Sequence, residues 1–435
     1  MSDSLRRGRW HEQGKVAMIE LAAALARVEE VAAALRPRRV PLMAAVGRTL
    51  VAAIEAAGDS PPWDRAMMDG FAVRNADLAA DGTAILDVVV DLAAGDVSGI
   101  SIAPGGCARI MTGAPLPSGA DAVVPVECAV EGTAEAHAGG QVRLCDRRFR
   151  PGQHVARRAT AFGRGDTVLP AGSRLSPAAV GVAVEAGATH VLVLPPPRVA
   201  ILSTGSELVP PDAEPGFGQT RNSNGPMLRA AVLAAGGDPV PLGIVGDRPE
   251  ALRAAVAQGL AADVVVLSGG VSAGDLDLVP IVCADCGVEE VFHKVRLKPG
   301  KPVWFGCHRR GDGQSLVFGL PGNPASSLVC FELFVRPALA IMAGVPAGGW
   351  HLPRVAAVLT ASARAAADRP IYAPCRVRRT SGGITAEPLP WSGSADLVGL
   401  AVAEGLLVLP AGAGTLAAGA TVEVVVRDGH RVEGW

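Results

Sequence analysis

The sequence predicts a multidomain α/β protein centred on one domain with a largely parallel sheet, and three observations carry that prediction. Apolar, β-branched runs at Arg198–Leu202, Asp263–Leu267 and Ser315–Leu320 read as strands buried on both faces. Helical patterns at Asn224–Ala235, Pro249–Ala261 and Pro324 to about Arg336 alternate with them. The regions on either side lack this alternation and carry short β-rich runs punctuated by Gly and Pro.

Taken in order, Leu21, Leu25, Val28, Ala32 and Leu35 recur at helical spacing within 17–35, and Pro37 stops the pattern. Between Trp63 and Arg150, the runs DVVVDL, CARIM and ADAVVPV predict a small all-β domain. Residues 151–194 mix strand and helix signals, and Pro195, Pro196 and Pro197 make a stiff boundary. In the central domain Gly236 and Gly237 end one helix, and Pro249 suits the first turn of the next. From about Gly348 the chain returns to short strands such as GLLVLP and TVEVVV, which predict a small β domain.

Composition narrows the function. The chain has 435 residues, 40 Lys plus Arg against 42 Asp plus Glu, and a net charge of -2. That balance argues against coating nucleic acid, which needs a basic excess to displace counterions. Hydrophobic residues at 49% exclude disorder throughout. No apolar run free of Pro, Gly and charge is long enough to span a bilayer, and MSDSLRRGRW lacks a signal-peptide core, so the expected compartment is the cytoplasm, with no membrane partner. Eight Cys are too few for a disulfide scaffold, and Cys283 and Cys286 read as two partly buried helical thiols rather than half of a zinc site.

The candidate chemistry gathers at the strand ends. Ser203-Thr204-Gly205, Ser268-Gly269-Gly270 and Pro321-Gly322-Asn323 each follow a strand, and loops in those positions converge beyond the carboxyl edge of a parallel sheet. Asn323 is a good N-cap and Pro324 suits the first helical turn, so the exposed N–H groups there predict an anion site. Neither GxGxxG after a strand nor GxxxxGK[ST] occurs, which disfavours the familiar nucleotide-binding loops. HKVRLKPGKP places Lys294, Arg296, Lys298 and Lys301 within eight residues. A strand over 294–297 would turn Lys294, Arg296 and Lys298 to one face, and the Pro-Gly turn would bend Lys298 and Lys301 together. Asp247, Asp275, Asp277 and Glu207 supply oxygen donors of the kind that suit Mg²⁺ with substrate phosphate, Asp277 being the favoured ligand. For Asp247 and Glu207 the alternative is a carboxylate beside a helix N-terminus. Asp69-Gly70 and Thr112-Gly113 read as turns between apolar runs.

AMMDGFAV, RIMTGAPLP, ADAVVPVE, STGSEL, SGGVSAGDLD, LKPGKP and GLPGNPAS occur in that order. Together they resemble the molybdopterin molybdenumtransferase family, which is related to the gephyrin E domain, over about 17–426. The resemblance implies four units: a discontinuous N-terminal domain (15–59 and 151–195), an inserted β-rich domain (60–150), a molybdopterin-binding α/β domain (196–346) and a C-terminal β barrel (347–435). It also implies a homodimer whose active site lies between the α/β domain of one subunit and the inserted domain of the other. The implied reaction transfers molybdate onto adenylylated molybdopterin, with release of AMP and help from Mg²⁺. By motif, Asp277 and Asp247 would hold the metal or help to cleave the adenylate. Lys298 and Lys301 would act with them, and Lys294 and Ser326 would share the oxyanion and phosphates. Asp69, Thr112, Thr204, Gly205, Glu207, Gly269, Gly270 and Asn323 would shape the pocket, with Ser394 and Arg376 or Arg369 added from the C-terminal domain. Molybdopterin adenylyltransferase and apo-molybdoenzymes would be protein partners. The alternatives are a non-catalytic cofactor carrier or scaffold, and the adenylyltransferase itself. Ala161 and Leu278 depart from the family pattern, standing where an Asp and an aromatic residue are usual.

Overall fold

The computed structural model describes residues 18–96, 99–271, 278–311 and 313–427. The described chain forms two compact units, 39–193 and a second one made of 18–38 and 194–427.

Helix α1 (Leu21–Val31) is shorter than the 17–35 pattern and ends at Ala32, whose backbone is extended. Its stripe is real: Ala24 and Val28 are fully buried, with Leu21, Leu25 and Leu35 packed beside them. In the 39–193 unit, strands β1 (Gly70–Val73), β2 (Thr83–Leu92), β3 (Gly106–Ile110), β4 (Ala122–Pro125) and β5 (Gln141–Cys145) form one sheet in the order β4-β1-β3-β2-β5. All pairings are antiparallel except β2 with β3. Strand alternation sends Ala72, Ala108, Ile110 and Val123 to one core, and Phe71, Val73, Cys107 and Val124 to the other. A third core joins Leu50, Ile54 and Leu175 to helix α2 (Pro177–Glu185), whose N-cap Ser176 accepts from Ala179 N.

The other unit holds a six-stranded sheet of β6 (Arg198–Thr204), β7 (Asp238–Val245), β8 (Val264–Ser268), β9 (Glu289–His293), β10 (Trp304–Arg310) and β11 (Gly313–Leu320), ordered β7-β6-β8-β11-β10-β9. The pairings among β7, β6, β8 and β11 are parallel, and β10 and β9 add antiparallel pairings. The largely parallel sheet is therefore present, with an antiparallel end that the sequence reading lacked. Val199, Ile201, Val264, Val266, Leu316 and Phe318 face one core together with α1, helix α3 (Asn224–Ala234) and the long helix after β11. Ala200, Leu202, Val265, Leu267 and Val317 face the other, covered by helices α4 (Pro249–Gly259) and α5 (Leu278–Asp285). Helices on both faces explain why β6 and β8 read as unbroken apolar runs.

That long helix does not stop near Arg336. Helix α6 (Pro324–Cys330) passes through a π turn (Phe331–Val335) into helix α7 (Arg336–Met342). Pro337 lacks the N–H a regular turn would use, and Glu332 pairs with Arg336 inside the core. Beyond it, strands β12 (Arg354–Leu359), β13 (Ile371–Thr380), β14 (Gly383–Pro388), β15 (Gly405–Leu409) and β16 (Thr421–Val426) close a barrel in the order β12-β14-β13-β15-β16.

Candidate functional site

The chain leaves β6 for β7 on one side and returns to β8 on the other. A crevice therefore opens where the carboxyl ends of β6 and β8 diverge. A cavity of about 610 Å³ lies there. Of the predicted site residues it gathers Thr204, Gly205, Glu207, Asp247, Gly269, Gly270 and Asn323.

Close backbone packing builds its floor. Gly269 (φ +100°) donates its N–H to Leu320 O at 3.0 Å, and a Cβ there would lie 2.5 Å from Thr204 O. Only glycine fits both the angle and the space. Thr204 Oγ1 in turn donates to Ser268 O at 3.3 Å, joining the ends of β6 and β8. Asn224, which the sequence reading did not single out, clamps the second loop to the third: its Nδ2 donates to Ser268 Oγ at 2.6 Å and to Gly322 O at 2.7 Å. Asn222, also missed, accepts from Ser203 Oγ and Gly225 N, both at 3.0 Å. The only signal for either was a polar RNSN run ahead of a helix.

The charged rim differs from expectation in four places. No helix follows STGSEL, because Leu208–Val209 pairs as a short strand with Thr220–Arg221, so Glu207 lines the cavity without a helix start to complement. Asp247 Oδ2 accepts from Ser206 N at 3.1 Å, while Ser206 Oγ accepts from Asp247 N at the same distance, which holds the carboxylate at the rim. Asn323 makes no side-chain cap; its Nδ2 donates instead to Ser394 Oγ at 2.9 Å. Ala325 N is taken by Ser394 O at 3.1 Å, so the α6 N-terminus offers fewer free donors than predicted. Finally, 294–297 is not a strand: β9 ends at His293 and Lys294 adopts φ +66°.

That segment is instead a tight loop, closed by Lys294 N to Val303 O at 3.0 Å and Val295 N to Lys301 O at 2.9 Å. The barrel grips it through Lys298 N to Pro370 O and Tyr372 N to Lys298 O. Arg296 is partnered by Glu20 at 3.1 Å, whereas Lys298 and Lys301 stand exposed. Pro302 lines the cavity, but Lys294, Lys298 and Lys301 are not among its walls. Beside them, burial and Lys294 push the His293 imidazole below its usual range, and a hydrogen bond to the Val271 backbone opposes this.

The remaining predicted residues lie elsewhere. Ser326 is buried at 3% exposure. Ser394 reaches the cavity through its hydrogen bond from Asn323, and Arg376 lines a second cavity of about 540 Å³ with Trp391 and Asp396. Arg369 lies 3.3 Å from Asp368. Asp69 and Thr112 belong to the 39–193 unit, where they find each other: Asp69 Oδ1 accepts from Thr112 N and Oγ1, both at 2.7 Å. Those bonds hold the Asp69 carboxyl below its usual range. Asp275 and Asp277 lie outside the described residues. Among the described residues no three metal-ligating side chains converge. Two hard carboxylates in the cavity lining, Asp247 and Glu207, do suit a Mg²⁺ ion that completes its shell with water and substrate phosphate.

This is the arrangement of an α/β protein that holds a polar small molecule at a topological switch point, with a closed β barrel and a β-rich unit in the same chain. Comparison makes the class specific. Residues 19–187 match the family model "MoeA N-terminal region (domain I and II)", 200–341 match "Probable molybdopterin binding domain", and 356–426 match "MoeA C-terminal region (domain IV)". Molybdopterin molybdenumtransferase 2 of Mycobacterium tuberculosis is 36% identical over 91% of this chain and 96% of its own length. Molybdopterin molybdenumtransferase of Bacillus subtilis is 33% identical over 89% of each. The crystal structure of the molybdopterin biosynthesis MoeA protein from Pyrococcus horikoshii superimposes with a TM-score of 0.78 at 29% identity, covering 95% of this chain and all of that one. The chain belongs to the molybdopterin molybdenumtransferase family, and it is an enzyme of molybdenum cofactor biosynthesis.

Proposed function

We propose that the protein inserts molybdate into adenylylated molybdopterin and releases AMP, acting in the cytoplasm as a homodimer assisted by Mg²⁺. The observation that carries this reading is the cavity at the β6–β8 crevice, which is lined by Asp247 and Glu207 together with Gly269, Gly270 and Asn323. A phosphorylated pterin needs a backbone-lined cradle, and the cleavage of its adenylate depends mainly on positioning and charge neutralisation.

In this reading Asp247 and Asp277 hold Mg²⁺, which when bound would neutralise phosphate charge. Lys298 and Lys301 receive the oxyanion, with Lys294, Ser326, Ser394 and Arg376 as further anion contacts. Thr204, Gly205, Glu207, Gly269, Gly270 and Asn323 seat the substrate, and Asp69 and Thr112 are further substrate contacts. Molybdopterin adenylyltransferase and apo-molybdoenzymes are the proposed protein partners, before and after this step.

The test is AMP release from adenylylated molybdopterin in the presence of Mg²⁺ and molybdate. The wild type should turn over, while Asp277→Ala should lose release and keep substrate binding, because its carboxylate acts mainly through the metal. Binding without AMP release by the wild type would instead identify a carrier.

A further inference from the structure

The strongest unassigned chemistry lies in the 39–193 unit, at a pair of cysteines. After β4, the turn Val126–Cys128 runs beside β5. Ala129 bridges Leu144 in antiparallel register, and Val130 N donates to Arg143 O at 2.7 Å. One step along that register sets Cys128 opposite Cys145. Facing residues in antiparallel chains have Cα atoms about 4.5–5.5 Å apart. A disulfide accepts about 4.4–6.8 Å.

Access favours the same pair. Cys145 is the one exposed cysteine of the eight, and Cys128 is half-buried. Cys283, in the CxxC sequence, is fully buried and its thiol is pushed up to about 12 by burial, then by Cys286. Cys145, being exposed where Cys128 is half-buried, is the thiol an external disulfide reaches first.

We propose that Cys128 and Cys145 form a reversible disulfide site, oxidised by a low-molecular-weight disulfide such as oxidised glutathione. Cys145 loses its proton and attacks one glutathione sulfur. The glutathione S–S bond breaks, and one glutathione leaves as a thiolate that takes up a proton. Cys128 then loses its proton and attacks the Cys145 sulfur, displacing the second glutathione, which is protonated in turn. Two protein thiols are oxidised by two electrons, and one glutathione disulfide is reduced to two thiols.

The bridge would lie close behind a candidate substrate contact. Val126, two residues before Cys128, donates its N–H to Asp69 O at 3.0 Å, and the Asp69 carboxylate holds Thr112. The staple would thus tie β5 to the turn that supports Asp69. It stands on the cysteine geometry and does not depend on the proposed activity.

The test uses the full chain incubated with oxidised glutathione, quenched by alkylation and mapped as peptides without reduction. The expected result is the loss of two free thiols per chain, a cross-link between the Cys128 and Cys145 peptides, and recovery of both thiols with dithiothreitol. Cys128→Ser should stop at a glutathione adduct on Cys145. Three wild-type outcomes would overturn the proposal: an adduct that stays on Cys145 while Cys128 still alkylates, a bridge mapping to Cys283 and Cys286, or no thiol lost.

Discussion

At the scale of single residues, hydrogen bonds set what each carboxylate can do. Asp69 is exposed, and its carboxyl titrates low because Thr112 donates to it twice, first through its hydroxyl and then through its backbone N–H. These bonds favour the charged form, so their contribution to folding is complete above the usual carboxylate range and fades as pH falls through the lowered pKa. Thr112→Val keeps the N–H and removes the hydroxyl. The Asp69 carboxyl should then titrate at higher pH, nearer the ordinary value, in an NMR titration of both proteins, and an unchanged midpoint would remove the hydroxyl from the account. Asp69 and Thr112 were visible in the sequence because turns favour such residues. Asn224 was not, because an Asn where a helix begins usually reads as part of its cap. Its work here is to join Ser268 to Gly322, residues 44 and 98 positions away.

At the scale of elements, the loop over 294–303 shows how one glycine fixes a basic segment. Gly300 has φ +117°, and a Cβ placed there would lie 2.4 Å from the Sγ of Cys330, which is fully buried at the end of α6. Gly300→Ala should destabilise the protein by about 1–3 kcal/mol, through backbone strain together with overpacking. Thermal melts check this, and adding Cys330→Ala should recover the steric part while leaving the cost of φ. A melt unchanged in Gly300→Ala would mean the loop accommodates a side chain. The neighbouring strands show where the sequence stopped being readable. β6, β8 and β11 were legible because burial on both faces demands continuous apolar runs. β7 is an edge strand carrying Pro239, Pro241 and Gly243, and β10 ends in HisArgArg, so neither shows such a run. The long helix was cut short at Arg336 because an arginine before a proline looks like a terminus; its buried pairing with Glu332 depends on a π turn that no period of 3.6 residues announces.

At the scale of the whole molecule, the hydrophobic clusters follow the two units rather than the order of the chain. Three of them draw only on residues from 40 to 193; of the other three, one joins 19–35 to residues beyond 198 and two draw only on residues from 200 onward. Helix α1 precedes the 39–193 unit in sequence yet packs against α7 and the π turn. The consequence is asymmetric. A fragment of 39–193 retains its three cores intact and should unfold cooperatively by itself, with near-ultraviolet circular dichroism like that of the full chain. A fragment of 194–427 lacks Leu21, Ala24, Leu25 and Val28, and so uncovers the apolar surface they bury. Each large aliphatic side chain lost there removes about 1.5–3 kcal/mol of burial. That fragment should bind a hydrophobic dye or aggregate, and adding α1 as a separate 18–38 peptide should reduce the dye signal. A non-cooperative melt of the 39–193 fragment would show that its cores need the rest of the chain.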